Sequence, residues 1–453
     1  MNVVPFIHEG LGNSSYLIGF DGGNAILVDP DRTAQRYRDA AEARGWRIST
    51  VLETHLHADF VSGAHELAAA VGAKLFVPEG EGLRLPHQGV RGSERWTLDG
   101  LEIESVASPG HTPEHLSYVI RAGSRPPALF SGGSLIVGGA ARTDLIAPHL
   151  TEQLTRAQYR TLKTAFSALP DETALYPTHG GGSFCSAGAS GGSRTSTLGA
   201  ERSSNPLLRF DDEDEFARWF PTTFPSAPAY YSGMRAFNQA GPRLRRDIQP
   251  PPVLAPADFD EMRRDAVVID ARQMGAYATA HIPGSISIAF RDAFAVWLGW
   301  LVPADARLLF VAGETPLQRL IDESLLVGYE RFAGVLDAGT RAWEDARLPV
   351  ASSGLIDAAK ARHWLLDGAS ALDVREPDEY AAGHIPDAVH VPLGQLAGRV
   401  DEVSRDRPIV AYCGHGERAA TAVSLLERLG RTALLNLDGG IDAWSEAGYS
   451  ITT

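Results

Sequence analysis

Four places in the 453-residue chain gather side chains that can do chemistry. In "THLHADF", His55, His57 and Asp59 alternate, and an apolar ring, Phe60, follows at once. Residues two apart on an extended chain point to the same side, about 6–7 Å apart, so these three can converge on one metal ion. His111 in "SPGHTPEH" and His179 in "YPTHG" each end an apolar run, where α/β folds present site residues. The fourth place is "AYCGHGERAAT", which reads as a strand, a six-residue loop starting at Cys413, and a helix. Gly414 and Gly416 let the loop curl so that its N–H groups point inward. The helix N-terminus and Arg418 add positive potential, and together they favour the thiolate, which is the nucleophile. The cradle of Gly414, His415, Gly416 and Glu417 suits an anionic substrate. The other thiol, Cys185, follows His179 closely in "THGGGSFCSAGASGGSRTS". It is either simply buried or accepts and relays sulfur beside the metal.

These groups need a layered scaffold. β-like runs ("SSYLIGF", "NAILVDP", "STVLETH") and helix-like segments ("TAQRYRDAAEARG", "GAHELAAAVG") predict an α/β pattern. The Gly/Ser-rich stretch around Cys185 reads better as an ordered site loop than as a linker. The linker is "GPRLRRDIQPPPVLAP", because three consecutive prolines continue neither helix nor central strand. Beyond it the chain repeats itself. "VVIDARQMGAYATAHIPG" is echoed by "SALDVREPDEYAAGHIPD", with an offset of 103 residues at Asp270/Asp373, Tyr277/Tyr380 and His281/His384. A period near 100 residues means two tandem α/β domains. The boundaries expected are 1–240, a linker at 241–256, then 257–351 and 355–453. The net charge of −15 argues against nucleic acid or an anionic membrane as partner. No secretory start and no spanning apolar run are evident, and two lone cysteines fit a reducing compartment, so the cytoplasm is expected.

The histidine–aspartate ensemble resembles the metallo-β-lactamase fold, an αββα sandwich. "SPGHTPEHLSYVI", "GGAARTDL" and "ERSSNPLLRF" are most similar to its persulfide dioxygenases. That resemblance implies one iron(II) per chain, with zinc the alternative, because Phe60 stands where dinuclear hydrolases carry a histidine for a second metal. It makes His55 and His111 ligands, with His57 assisting and Asp59 and His179 as further candidates, and it puts Arg142 at the substrate. One departure stands out: the aspartate expected in an "SGD" segment is Gly133 in "FSGGSL". Restoring it by Gly133→Asp is expected to tighten metal binding wherever the backbone tolerates a side chain. The two repeats resemble rhodanese domains, α/β modules of which only the second keeps its cysteine; the first carries Ala312 and Gly313 there.

The whole implies a sulfide-detoxifying fusion. A low-molecular-weight thiol persulfide is oxidised by O₂ to sulfite, and Cys413, with Arg418, passes sulfane sulfur to make thiosulfate or runs the reverse transfer. A zinc hydrolase of the glyoxalase II type, or a degenerate metal domain serving as scaffold for a sulfur carrier, are the alternatives. Whether the chain forms a homo-oligomer is left open by the sequence.

Overall fold

The computed structural model describes residues 1–20, 22–187 and 192–453, so part of the Gly/Ser-rich stretch, 188–191, lies outside the described residues. The chain divides into two compact units, Met1–Ile248 with Ser324–Gly328, and Gln249–Glu323 with Tyr329–Thr453. Among the described residues no helix is long and apolar enough to cross a membrane.

The first unit is built on two six-stranded sheets. The first runs in sequence order through Asn2–His8, Asn13–Gly19, Asn24–Val28, Arg47–Leu52, Lys74–Pro78 and Gln88–Val90. The second contains Leu101–Ala107, Leu116–Arg121, Ala128–Gly132 and Ala174–Pro177. Period-two alternation sorts the side chains between layers. Tyr16, Ile18, Ile26 and Val28 pack against Ile103, Tyr118, Ile120 and Phe130 between the sheets. Leu17, Leu27, Val51 and Leu75 turn outward onto Tyr37, Ala41 and Leu67 of two helices. Outside the second sheet, Val119, Leu129 and Leu175 meet Leu162, Phe216 and Phe220. Helix, sheet, sheet and helix give the αββα order. Loops that follow strand ends in both sheets carry the site histidines.

The second unit contains two five-stranded parallel sheets with one strand order. Asp270 pairs with Val311 in one, and Asp373 with Tyr412 in the other. The repeated residues turn out to be fastenings. Arg272 bonds Asp270 and the Ala280 carbonyl, as Arg375 bonds Asp373 and the Gly383 carbonyl. Tyr277 stacks on His281 at 3.9 Å and Tyr380 on His384 at 3.8 Å. The two modules also share polar contacts, including His281 Nε2 to Glu427 Oε2 at 2.9 Å. Within 241–256 the regular structure is a short 3₁₀ turn, Arg245–Asp247, the strand Val253–Leu254, and the first residue, Pro256, of the helix Pro256–Met262.

Candidate functional site: a histidine pocket and a thiol loop

The strand Arg47–Leu52 stops short of the histidines, so "ETHLHADF" is a loop and its side chains do not alternate as on an extended chain. One residue anchors it. Asp29, at the end of Asn24–Val28 and held at φ 47°, accepts from the N–H and hydroxyl of Thr54, both at 2.7 Å, and from the Thr178 hydroxyl. Thr54 and Thr178 directly precede His55 and His179, so one buried carboxylate fixes two histidine loops that lie 124 residues apart. Burial pushes the Asp29 carboxyl up, but His57 beside it and these hydrogen bonds hold it below the usual range. Sequence reading missed Asp29; its only sign was an aspartate closing the apolar run "NAILVD".

His55, His57, Asp59, His111 and His179 are all buried in one pocket. Candidate donor atoms of His55, His111 and His179 lie within 4.8 Å of one another, and those of His57, Asp59 and His179 form a second such group. The His57 ring packs beside His55, centroids 4.3 Å apart, while its donor atoms group with Asp59 and His179 and with Asp29 and Glu53. It stacks on Phe60 at 4.1 Å, and its Nε2 meets Glu53 Oε2 at 3.1 Å and Asp29 Oδ1 at 3.5 Å. Burial opposes charge on this ring, yet Asp29 and Glu53 push it up to about 10. Burial holds His111 down to about 3. A metal fits the pocket. The Nε2 atoms of His55 and His179 face each other at 3.3 Å with both rings buried, an arrangement that a cation between them relieves.

Arg142 is where the sequence reading is corrected most clearly. Its guanidinium is 4% exposed and fully committed, to Asp144 at 2.7 and 2.8 Å and to the carbonyls of Phe184 and Pro225. It cannot reach a substrate, but its carbonyl accepts from His111 Nδ1 at 2.6 Å, so it positions the ring. Cys185 is buried beside Asp59 and Tyr231, and burial pushes its thiol well up. A cavity of about 190 Å³ opens on His111, lined by Thr112, Tyr231, Ser232 and Arg235. His65 faces the Pro242 carbonyl instead, on a helix that starts at Ala64.

Cys413 follows the strand Ile409–Tyr412 and precedes the helix Glu417–Arg428. Its Sγ accepts from the Gly416 N–H at 3.1 Å. Gly416 takes φ 111°, the left-handed turn that lets this N–H swing inward, whereas Gly414 has no such φ. Arg418 lies close enough to act on Cys413 through its charge, with both terminal nitrogens 2.6 Å from Glu379 oxygens. His415 is exposed and pairs with Asp442 at 3.0 Å, outside the thiol cradle. A neighbouring turn closes the loop: a Cβ on Gly440 would meet the carbonyl oxygens of Cys413 and Gly414 at 2.3 Å. Met274 of the first module packs over it, 3.2 Å from where a Gly416 Cβ would sit.

The sequence matches the Metallo-beta-lactamase superfamily over residues 8–179 and the Rhodanese-like domain over 255–346 and again over 357–447. A hydroxyacylglutathione hydrolase of Polaromonas sp. (strain JS666 / ATCC BAA-500) is 33% identical over 171 residues, 37% of this chain and 62% of that protein. An uncharacterized protein of Bacillus subtilis (strain 168), YqhL, is 41% identical over 76 residues, 17% of this chain and 60% of that protein. The chain thus spans about three fifths of the length of these curated relatives. A crystal structure of a metallo-beta-lactamase from Staphylococcus aureus subsp. aureus COL has a TM-score of 0.65 at 27% identity, covering 74% of this chain and 98% of that one. In fold, the chain is a metallo-β-lactamase domain followed by two rhodanese-like domains.

Proposed function

We propose that the protein oxidises the persulfide of a low-molecular-weight thiol to sulfite in its first domain and transfers sulfane sulfur through Cys413 in its last. The observation that carries this reading is the Cys413 loop, where a sulfur accepts a backbone N–H and Arg418 Nη2 lies 3.7 Å from where a Gly414 Cβ would sit. In the transfer, the Cys413 thiolate forms a bond to the outer sulfur of a persulfide, the S–S bond breaks, and the small thiol leaves with its electron pair. Sulfite then attacks the outer sulfur of the Cys413 persulfide; thiosulfate leaves and the thiolate is restored. Persulfide, O₂ and water give thiol, sulfite and two protons, which balances. An iron(II) ion in the histidine pocket supplies O₂ activation for that step when bound. The chain's own part there is a buried pocket, fixed imidazoles, and a cavity edged by Thr112, Tyr231 and Arg235. Cys185, beside Asp59, is placed in this reading as a sulfur acceptor next to the pocket. Two reduced thiols fit a cytoplasmic setting.

The hydroxyacylglutathione hydrolases among the relatives favour a second reading, metal-dependent thioester hydrolysis. Phe60 and Gly133 weigh against it, because neither can ligate a second ion. One experiment separates the two. Iron-loaded protein given glutathione persulfide should consume O₂ and release thiosulfate, and Cys413→Ser should release sulfite alone. No O₂ uptake, with turnover of a hydroxyacylglutathione thioester, would replace the first reading by the second.

A further inference from the structure

We propose that the metal is held by three histidines and no carboxylate, through Nε2 of His55, His111 and His179, and that the place of the missing aspartate at Gly133 is closed. The inference rests on reading the first domain as metal-dependent and adds the ligand set.

The hydrogen bonds at the far side of each ring decide which nitrogen is free. His55 Nδ1 lies 2.9 Å from Thr54 Oγ1, whose single proton is already given to Asp29 Oδ2 at 2.7 Å. The hydroxyl must therefore accept, so His55 carries its proton on Nδ1 and a lone pair on Nε2. His111 Nδ1 meets the Arg142 carbonyl at 2.6 Å, which only accepts, with the same result. His179 Nδ1 faces Asn13 Oδ1 at 3.1 Å and Asp59 Oδ2 at 3.2 Å, again acceptors. With both rings neutral, the Nε2 atoms of His55 and His179 confront each other at 3.3 Å as two lone pairs in a buried pocket. A cation between them turns that repulsion into ligation. Asp59 acts from outside, on the Nδ1 side of His179.

Gly133 cannot rejoin this shell. A Cβ built there would lie 2.6 Å from His111 Cδ2 and 3.0 Å from Ala141 Cβ. Its N–H donates to His115 Nε2 at 3.0 Å, while His115 Nδ1 bonds Ser108 Oγ at 2.9 Å, so His115 has no lone pair to offer a metal. The left-handed residue is Gly132, φ 57°, so lack of space, not backbone freedom, keeps side chains out of position 133. The expected gain from Gly133→Asp is thereby reversed. Three neutral imidazoles also leave the full charge of a divalent ion uncompensated in its shell, which draws in an anionic sulfur ligand such as a persulfide.

Cobalt(II) titrated into the full chain against a chelator, with its visible absorption as the readout, tests this without activity. His55→Gln, His111→Gln and His179→Gln should each weaken binding on the order of 100-fold or more, and Asp59→Asn about 10-fold. His57→Gln should change it less than Asp59→Asn. Gly133→Ala should already weaken binding, since a Cβ suffices to displace His111, and Gly133→Asp should do no better. The thermal midpoint of each variant shows that the domain is folded. Tightening by Gly133→Asp, unchanged binding in Gly133→Ala, or a His57→Gln loss as large as that of His179→Gln overturns the assignment. If cobalt binds as expected but iron-loaded protein takes up no O₂ with glutathione persulfide, the ligand set stands and the dioxygenase reading falls.

Discussion

The two rhodanese-like modules share a frame and differ in one constellation. Both keep the Asp–Arg fastening, the Tyr–His stack, and a buried tryptophan whose Nε1 bonds a carbonyl, Trp343 to Pro349 and Trp444 to Ser450. Where the second has Cys413, Gly416, Arg418, Glu376 and Glu379, the first has Ala312, Thr315, Leu317, Gln273 and Ala276. The Thr315 N–H donates to the Ala312 carbonyl at 3.1 Å, while the corresponding Gly416 N–H turns to sulfur. The nearby turn has slackened as well: a Cβ on Gly339 meets nothing within 4 Å, whereas on Gly440 it would strike the thiol loop. Thiol, cation and clamp are absent together and the turn is loosened, which separates the residues that hold the fold from those that serve the sulfur.

The largest effect expected is from Cys413→Ser, which should lower thiosulfate-dependent sulfur transfer on the order of 10³-fold or more with the fold intact. Ala312→Cys should create no transfer activity, because neither Arg418 nor the inward N–H has a counterpart there. Sulfur transfer by Ala312→Cys in a Cys413→Ser background would break the comparison. Next come the paired turn variants. Both glycines have left-handed φ, 58° at Gly440 and 63° at Gly339. Gly339→Ala should cost about 1–2 kcal/mol from backbone strain alone. Gly440→Ala adds overlap with two carbonyls and should cost roughly 2–5 kcal/mol and impair transfer, as denaturant unfolding and rate assays would show. Equal costs would mean that the loops are equally packed.

Glu379→Ala copies the first module at the clamp and frees Arg418 from two 2.6 Å bonds. A loss of roughly 10-fold in transfer rate is expected, the scale of one charged hydrogen bond. The smallest effect is at Glu376. Burial raises its carboxyl from the ordinary 4.5 to about 7, against the pull of Arg418. A raised carboxyl binds protons more tightly folded than unfolded, so it lowers stability as pH rises from about 4.5 through 7. Glu376→Gln, the residue type of the first module, should raise the thermal midpoint by a few degrees at pH 8 and leave it unchanged near pH 4, as thermal melts would show. A gain at pH 4 instead would place the effect elsewhere.

Much of this was legible in the sequence. The repeat announced two modules, because its period joins residues that recur at the same strand ends. The string "CGHGER" announced the thiol loop, since strand end, glycine turn and helix start are local in the chain. Phe60 and Ala312 told by their chemistry alone that one site lacks a ligand and another a nucleophile. Tertiary structure decided the rest, and the reason is direction. Which nitrogen of a histidine is left free is set by what binds the opposite one, and those partners come from afar: Arg142 for His111, Asn13 for His179, and Asp29 through Thr54 for His55. Spacing on one strand could not tell that His57 turns to Glu53 and Asp29, nor that the Arg142 guanidinium is spent on Asp144. At Gly133 the sequence showed a missing carboxylate, but only the fold shows that His111 and Ala141 stand where its Cβ would go.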